Sequence, residues 1–397
     1  MIVTIEKLDH FGRGLCKVND KVCFVEGALP GEEVEIDIIK ENKNFIEAKV
    51  LTIINESEHR ITPKCPYYDA CGGCTHQHMT YELENESKVN KVKELMERFA
   101  HISPDLVKDM VSGTEYNYRN KIILHGLNGK IGFYEEKTHS VIPIKKCLLV
   151  SPKMNNIIKI LNKINVQILE VLIRCSNDGE MTLVELEGKV SDIKPLQDVC
   201  DILIYNGMIM SEHDELISKI GDKDFFISYS SFFQVNRKVT KKLYDRVLKE
   251  VKKKKPNKVL DLYCGAGTIG IYVSDYAKEI IGVDNNGSNI VDANKNKELN
   301  HVENISFICD KVENKIDSFT DIDMIIVDPP RSGLDTKTKE YLTKINPETI
   351  VYVSCDPVTL ARDLGELNNN YEIKSVEPFN MFPRSSHVEC VCILERI

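Results

Sequence analysis

The chain has 397 residues, of which 42% are hydrophobic and 28% are charged, a composition that excludes long disorder. Its length predicts two to four domains. No stretch has the uncharged apolar length that spans a membrane, and the first residues lack the apolar core of a signal peptide, so we expect a cytoplasmic protein. The net charge of −9 argues against a nucleic-acid partner, because phosphate binding requires lysine and arginine.

Residues 1–57 predict a small, OB-like β-barrel. Short apolar stretches alternate there with turn signals rich in glycine, asparagine and proline. The predicted strands are residues 2–5, 22–25, 34–38 and 45–50, and the turn signals are residues 12–14, 19–20 and 29–31. Several short strands in so short a segment are typical of small barrels, many of which bind RNA.

Residues 58–225 predict a central α+β domain that contains a cysteine cluster. A helix is indicated by apolar residues at helical spacing, namely Val89, Val92, Leu95, Met96 and Phe99. The segment from about residue 113 to residue 225 mixes strand and helix patterns without a sharp motif.

The cysteine cluster is a candidate metal site. Thirteen cysteines in a cytosolic protein do not form a disulfide framework, because the cytosol keeps thiols reduced. The candidate ligands are Cys65, Cys71 and Cys74 in one loop and Cys147 farther along the chain. Four thiolates bind either zinc or an iron–sulfur cluster, and His76 and His78 can complete a zinc site. The spacing therefore leaves both metals open.

Residues 226–397 predict a doubly wound, Rossmann-like α/β domain. Apolar runs typical of buried parallel strands alternate with helical patterns, and the last two strands follow each other without a helix. The predicted strands are residues 258–262, 280–283, 305–309, 324–327, 350–353, 371–377 and 388–394. A basic run covers residues 237–258, which we interpret as a solvated helix face and linker.

A glycine-containing turn at residues 261–268 indicates a ligand site. It follows the first of these strands and opens a helix, and carboxylates stand at the ends of successive strands, where such sheets bind ligands. These carboxylates are Asp261, Asp284, Asp310 and Asp328. A nicotinamide dinucleotide stays open at this point, because Gly270 supplies the third glycine of its fingerprint.

The fifth strand is followed by a candidate nucleophile, Cys355. A cysteine in such a place is ordinarily a small core residue, but Pro357 bends the chain here at the ligand-binding edge of the sheet. A thiolate there is a strong nucleophile. Farther on, a loop carries Arg384, His387 and Glu389, which predicts a base and a charge partner beside the same edge.

Five segments together resemble the RNA 5-methyluridine methyltransferases. They are residues 231–236 (SFFQVN), 261–267 (DLYCGAG), 328–331 (DPPR), 354–363 (SCDPVTLARD) and 382–389 (FPRSSHVE). The likeness covers essentially the whole chain, and the N-terminal barrel resembles the TRAM domain of the ribosomal-RNA branch. The resemblance implies a class I methyltransferase fold for residues 226–397, with S-adenosylmethionine as cofactor.

The family likeness also implies roles for single residues. Cys355 would add to C6 of a uracil base, and Glu389 would remove the proton from C5. The implied cofactor contacts are Gln234, Tyr263, Thr268, Asp284, Asp310 and Asp328, of which Thr268 stands where relatives often carry asparagine and Asp310 is included for its place at a strand end. The implied substrate contacts are Phe232, Arg331 and His387.

The same likeness implies a [4Fe–4S] cluster on Cys65, Cys71, Cys74 and Cys147, with zinc as the alternative. Barrel and cysteine site together point to 23S ribosomal RNA as substrate, because the transfer-RNA branch typically lacks both; transfer RNA is the alternative. We expect a monomer with no membrane contact.

Two other functions are weighed against this one. Methyltransferases of adenine amino groups place an aromatic residue after Asp-Pro-Pro, whereas this chain has Arg331 there. A non-catalytic iron–sulfur RNA-binding protein would not require both Cys355 and Glu389.

Overall fold

Three sheets and a two-stranded hairpin organise the computed structural model, which describes residues 1–135, 138–228 and 233–397. Among these residues, no helix is both long enough and apolar enough to cross a membrane. The elements follow in chain order.

The N-terminal barrel is one six-stranded sheet with the order β1-β5-β6-β4-β3-β2. Its strands are β1 (Ile2–Thr4), β2 (Lys7–Leu8), β3 (Gly14–Val18), β4 (Lys21–Glu26), β5 (Glu33–Glu41) and β6 (Phe45–Asn55). Residues of alternating parity from these strands form one apolar core. The four predicted strands are confirmed, but β2 and β3 were not predicted, and Gly14 begins β3 instead of lying in a turn.

Helix α1 (Tyr81–Leu95) links the barrel to the rest of the chain. Thr80 caps it, because its side-chain oxygen accepts a hydrogen bond from the amide of Leu83 at 3.3 Å, and a π-helical turn over Met96–Ala100 extends it. Its buried residues Val92 and Leu95 pack in the core beneath the C-terminal sheet. The helix is therefore part of that core, although it lies within the segment predicted as the central domain.

The central sheet has seven strands in the order β13-β12-β11-β10-β7-β8-β9. They are β7 (Lys121–Leu127), β8 (Lys130–Tyr134), β9 (Val141–Pro143), β10 (Asn165–Cys175), β11 (Thr182–Val190), β12 (Ile202–Tyr205) and β13 (Met208–Ile209). Helices α2 (Pro152–Ile164) and α3 (Lys194–Gln197) bury their apolar residues against this sheet. A separate hairpin, β14 (Leu216–Ile220) and β15 (Lys223–Ile227), packs instead on the C-terminal sheet.

The C-terminal sheet has the order β18-β17-β16-β19-β20-β22-β21, and its last two strands are antiparallel. The strands are β16 (Lys258–Leu262), β17 (Glu279–Asp284), β18 (Ile305–Cys309), β19 (Met324–Val327), β20 (Thr349–Ser354), β21 (Tyr371–Phe379) and β22 (Glu389–Arg396). The helices are α4 (Arg237–Lys254), α5 (Thr268–Val273), α6 (Gly287–Leu299), α7 (Val312–Lys315), α8 (Thr336–Ile345) and α9 (Pro357–Leu367). Apolar cores cover both faces, and the strand order reverses between β16 and β19, where such sheets bind ligands.

The basic run forms most of α4, and its last lysines are held by carboxylates. The ammonium group of Lys254 lies 2.9 Å from carboxylate oxygens of both Glu348 and Glu395. That of Lys253 lies 3.3 Å from Glu250 and 3.2 Å from Glu395. These ion pairs hold the helix end against β22, so the two lysines serve packing between the elements.

Candidate active site

The turn after β16 needs its glycines for space and backbone shape. Gly267 has a φ of 73°, and a Cβ there would stand 2.5 Å from the ring of Phe307. A Cβ on Gly270 would stand 2.9 Å from Oδ2 of Asp261, which accepts a hydrogen bond from the Gly270 amide at 3.1 Å. Gly265 has a φ of 55° with open space beside it, so the backbone there is accessible to a ligand.

Asp284 ends β17 and borders this turn. Its Oδ2 accepts a hydrogen bond from the Gly265 amide at 3.0 Å. Its Oδ1 accepts hydrogen bonds from the Asn286 amide at 2.8 Å and from Nδ2 of Asn289 at 3.1 Å. The carboxylate is thereby fixed beside the open backbone at Gly265.

Asp310 follows β18, and its amide donates to the carbonyl of Asp284 at 3.0 Å. Its Oδ1 accepts hydrogen bonds from Nδ2 of Asn314 at 3.0 Å and from the Lys311 amide at 2.8 Å. These bonds lower the pKa of the carboxyl group. Asp310 therefore lies at the same edge as Asp284, with one carboxylate oxygen engaged by the chain that follows.

Two other predicted cofactor residues use their hydroxyl groups within the protein. Tyr263 has a φ of 61°, and its hydroxyl donates to Oδ2 of Asp335 at 3.2 Å. The hydroxyl of Thr268 lies 2.6 Å from that of Tyr244. A cofactor would thus meet the tyrosine ring and the backbone of this turn, not two free hydroxyl groups.

Gln234 is buried, and its Oε1 has no hydrogen-bond partner within the described part of the chain. Its carbonyl accepts a hydrogen bond from Nδ2 of Asn120 at 3.0 Å, which fixes the backbone. A buried, unsatisfied amide oxygen is costly, so this side chain suits a polar ligand group. Phe232, a predicted substrate contact in the same motif, lies outside the described residues.

Two buried carboxyl groups, those of Asp261 and Glu389, come together with the partly buried carboxyl group of Asp328 at the reversal point of the sheet. Burial raises the pKa of Asp328 to about 7. Burial raises the pKa of Asp261 and of Glu389 to about 8 each, and in both cases the Asp328 carboxylate adds to the rise. Glu389 is 3% exposed, and its Oε2 has no hydrogen-bond partner among the residues described. Acidic side chains whose pKa values are shifted and that cluster in a crevice are typical of functional sites.

Cys355 and Glu389 stand at the ends of neighbouring strands. Ser354, the last residue of β20, pairs with Cys390 of the antiparallel β22, so the residues next to that pair leave the sheet side by side. Burial raises the pKa of the Cys355 thiol to about 11, and Glu389 and Asp328 add to the rise, whereas Arg331 lowers it. The predicted nucleophile and base therefore share one site with Asp328.

Arg331 and His387 lie at the solvent side of this site, and both are exposed. Partial desolvation of the His387 ring and the charge of Arg331 lower the pKa of His387. The His387 ring lies 5.8 Å from that of Phe382. Arg331 is thus the cation that acts on both Cys355 and Glu389. The prediction that the arginine of the 382–389 loop supplies this charge is wrong, because Arg384 is buried and bound elsewhere.

The four predicted metal ligands meet at one cavity. Its volume is about 300 Å³, and its lining includes Cys65, Cys71, Cys74 and Cys147. After burial, the neighbouring thiols of the other three cysteines raise the pKa of Cys74 further. No group of three or more His, Cys, Asp or Glu side chains within residues 1–135, 138–228 and 233–397 is arranged to hold a metal ion.

His76 and His78, the alternative zinc ligands, have other partners. Nδ1 of His76 lies 2.6 Å from the hydroxyl of Thr75, and Nδ1 of His78 lies 2.6 Å from that of Tyr68. The His76 ring also packs on Gly12, where a Cβ would approach it to 2.4 Å. Neither imidazole is among the described residues that line the four-cysteine cavity.

Three contributors to the site were not assigned from the sequence. Asp261 was noted as a strand-end carboxylate but given no role, and its position before the glycine turn was the available signal. Asn289 and Asn120 hold Asp284 and the Gln234 backbone, and nothing in the sequence pattern marks them.

The buried carboxyl groups predict a pH-dependent stability. An unfolded glutamate has a pKa near 4.3, whereas that of folded Glu389 is about 8. Such a group stabilises the fold fully below its unfolded pKa, and this stability is lost as the pH rises through its folded pKa. Relative to wild type, Glu389→Gln should gain about 4 kcal/mol in free energy of unfolding between pH 5 and pH 8.5, as measured by urea unfolding.

A matched control for this measurement is Glu395→Gln in the same strand. Hydrogen bonds to Lys254 and Lys253 lower the pKa of Glu395, so its removal should destabilise the protein, with the difference from wild type largest above pH 5. A constant difference between Glu389→Gln and wild type across the pH range would contradict the proposed burial of a protonated acid.

Sheet order, glycine turn and strand-end carboxylates define the C-terminal region as a class I, S-adenosylmethionine-dependent methyltransferase fold. A model of the tRNA (uracil-5-)-methyltransferase family matches residues 208–397, and a TRAM domain model matches residues 1–51. A Clostridium tetani protein named "Uncharacterized RNA methyltransferase" is 36% identical, with 96% of this chain and 93% of that protein covered. A Staphylococcus aureus protein of similar name is 34% identical, with 98% and 96% covered.

One solved structure is similar over its whole length. The Pyrococcus abyssi tRNA (uracil-54, C5)-methyltransferase in complex with S-adenosyl-L-homocysteine superimposes with a TM-score of 0.83 at 26% identity, covering 99% of this chain and 100% of that one. The chain therefore belongs to the RNA (uracil-5-)methyltransferase family, with an N-terminal TRAM domain.

Proposed function

We propose that this protein methylates C5 of a uridine in RNA through a covalent adduct on Cys355. The observation that carries the proposal is the convergence of the Cys355 thiol with the buried Glu389 carboxyl group and the partly buried Asp328 carboxyl group at the ligand-binding edge of the sheet. The target base must leave its stack to reach this crevice. We also propose the division into residues 1–57, 58–225 and 226–397, except that α1 and the hairpin of β14 and β15 pack with the C-terminal sheet.

The chemistry follows from the weak nucleophilicity of uracil C5. The Cys355 thiolate forms a bond to C6, and the electron pair of the C5–C6 double bond moves into an enolate through C4 and O4. The predicted cofactor residues around Asp284 and Asp328 would hold S-adenosylmethionine, which would supply the methyl group that C5 receives and be released as S-adenosylhomocysteine. The Glu389 carboxylate then takes the C5 proton, the double bond forms again, and Cys355 leaves as thiolate.

Two site properties support these roles. Burial raises the pKa of Glu389 to about 8. The Glu389 carboxylate therefore binds a proton more strongly than an exposed glutamate does, which suits the base that takes the C5 proton. The charge of Arg331 opposes the rise in the pKa of Cys355, which favours the thiolate.

The product of the reaction tests the proposed function. RNA incubated with the protein and isotopically labelled S-adenosylmethionine should yield labelled 5-methyluridine after digestion to nucleosides. Label at another base, or at another atom of uracil, would contradict it.

The proposed RNA is 23S ribosomal RNA, on the family likeness of the barrel and the four-cysteine site. Transfer RNA is a second candidate, favoured by the P. abyssi structure, which is named for transfer RNA and covers 99% of this chain. The presence of an N-terminal barrel therefore does not by itself distinguish between ribosomal RNA and transfer RNA as the substrate. We expect loss of 5-methyluridine from 23S RNA, with transfer RNA unchanged, in a strain that lacks the gene; the reverse pattern would assign transfer RNA.

The four cysteines are proposed to hold a [4Fe–4S] cluster. The cavity that the four cysteines share, which neither His76 nor His78 lines, supports an all-thiolate site. Methyl transfer moves no electron, so the cluster would supply folding stability to this loop. Protein purified without oxygen should contain about four iron atoms per chain and absorb broadly in the visible range.

Serine replacements test the ligands. Cys74→Ser should lose the iron and the absorption, whereas Cys16→Ser, a buried barrel cysteine, should keep both. Stoichiometric zinc without visible absorption in the wild-type protein would overturn the cluster proposal.

A further inference from the structure

The loop that precedes Glu389 is anchored by a buried ionic network outside the crevice. We call residues 382–387 the catalytic-edge loop. It is bound on one side by α1 and on another by residues 75–79, which directly follow the loop of residues 65–74. We call this loop, which carries three of the four cysteines, the cysteine loop. These contacts join parts of the chain that are about 300 positions apart.

Arg384 is the centre of this network and is 1% exposed. Its guanidinium donates to the carbonyls of Met79 at 2.7 Å and His76 at 3.1 Å, and it is paired with Glu115. It also lies 5.5 Å from each of the ring centroids of Tyr81 and Tyr116. A planar fork of donors stacked between rings is a geometry that lysine cannot reproduce.

The backbone of Arg384 is held as firmly as its side chain. Its amide donates to both carboxylate oxygens of Glu84, at 2.9 and 3.1 Å. Its carbonyl accepts hydrogen bonds from the amides of Thr75 at 2.9 Å and His76 at 3.2 Å. Arg384 has a φ of 66°, a conformation that a non-glycine residue adopts only where its surroundings enforce it.

Lys88 completes the anchor from α1 and is 2% exposed. Its ammonium group donates to Glu84 at 2.8 Å, to Oδ1 of Asn380 at 2.7 Å and to the carbonyl of Phe382 at 3.1 Å. Both ends of the catalytic-edge loop are therefore fixed, because Lys91 reaches the carbonyl of Ser386 at 3.2 Å.

Glu84, Lys88 and Arg384 are buried and hydrogen-bonded to one another or to backbone groups, although Nε of Arg384 has no hydrogen-bond partner among the described residues. Removing one partner of such a network leaves the other charge uncompensated. The buried network therefore fixes the positions of two loops. One is the cysteine loop, which continues into Thr75 and His76, and the other is the catalytic-edge loop, which continues into Glu389.

We propose that Arg384 is a positioning residue that couples the cysteine loop to Glu389. It holds residues 75–79 and the catalytic-edge loop as one unit, so that disorder in the cysteine loop displaces the base without any contact between the metal site and the substrate. The expected effect on catalysis rests on the proposed function, whereas the structural coupling between the two loops does not.

The experiment compares Arg384→Gln with wild type in the ligand-free full chain and in turnover. Amide hydrogen exchange at Thr75 and His76 should become at least tenfold faster, because their acceptor loses its anchor. The kcat of methyl transfer should fall about 10- to 100-fold, while the KM for S-adenosylmethionine changes less than about twofold. The fraction of protein trapped as RNA adduct should rise, and Arg384→Lys should recover only part of each change.

Arg246→Gln is the matched control. Arg246 also bridges a helix to the same sheet: its Nε lies 2.9 Å from a carboxylate oxygen of Glu377, and its Nη1 lies 3.2 Å from one of Glu250. It lies away from the catalytic-edge loop. Its loss should lower Tm without faster exchange at Thr75 and His76. Equal loss of Tm in the two variants, with unchanged exchange at these amides in Arg384→Gln, would overturn the proposal.

The reverse direction provides a second measurement. Cys74→Ser should speed exchange at the Arg384 amide, whereas Cys16→Ser should not; unchanged exchange in Cys74→Ser would also overturn the coupling. A wild-type protein that forms neither adduct nor 5-methyluridine would instead refute the proposed function, and the exchange measurements would still decide the coupling.

Discussion

Replacing Cys355 with alanine should abolish both methyl transfer and the covalent protein–RNA complex. The substitution removes the atom that forms the bond to C6, and the remaining carboxyl groups cannot make C5 nucleophilic. We expect turnover to fall by about a thousandfold or more, measured as labelled 5-methyluridine. The complex should disappear from denaturing gels of protein mixed with substrate RNA.

The control for this variant is Cys309→Ala. Cys309 is exposed and ends β18 at the same edge of the same sheet, so it tests whether any thiol at this edge matters. It should retain turnover and adduct. Full activity in Cys355→Ala would refute the covalent mechanism, whereas loss of binding to S-adenosylmethionine in that variant would show damage to the crevice instead.

Replacing Glu389 with glutamine should trap the adduct rather than prevent it. Addition of Cys355 to C6 and arrival of the methyl group precede removal of the C5 proton, and only the last step requires the base. The methylated adduct should therefore accumulate in Glu389→Gln, with product release slowed about 100-fold or more. Denaturing gels, and mass spectrometry of the trapped peptide, would measure it.

The pH profile adds a second measurement of the same role. Since the pKa of Glu389 is about 8 in the ligand-free protein, its carboxylate fraction grows as the pH rises through this value, and wild-type turnover should rise with it. Glu389→Gln should lose that part of the rise. Glu395→Gln, at the far end of β22, should keep the wild-type profile; no adduct in Glu389→Gln would argue against this base.

Much of the fold could be predicted because burial leaves a pattern along the chain. The parallel strands are apolar runs covered on both faces, so β16, β18 and β19 have the predicted bounds. Strand β2 has only two residues and β3 begins at a glycine, so neither shows an apolar run that would predict it.

The candidate site was harder to predict from the sequence where the residues that contact each other lie far apart along the chain. Cys355 and Glu389 could be proposed because each follows or begins a strand at one sheet edge. The burial of Arg384 could not, because Glu84, Glu115 and the carbonyls that bind it belong to segments about 300 positions earlier. Arg384, the arginine of that loop, is therefore a structural residue, and the cation that lowers the pKa of Cys355 is Arg331.

Helix α1 has a consequence for how this chain folds during synthesis. Its apolar residues Val92 and Leu95 share a core with Leu360 and Leu364 of α9, which leave the ribosome much later. Until then the helix has an uncovered apolar face, and closing so long a loop is slow and exposes the chain to aggregation. The barrel, whose core is local, can form early, whereas the catalytic crevice is completed only when α9 and β22 have been made.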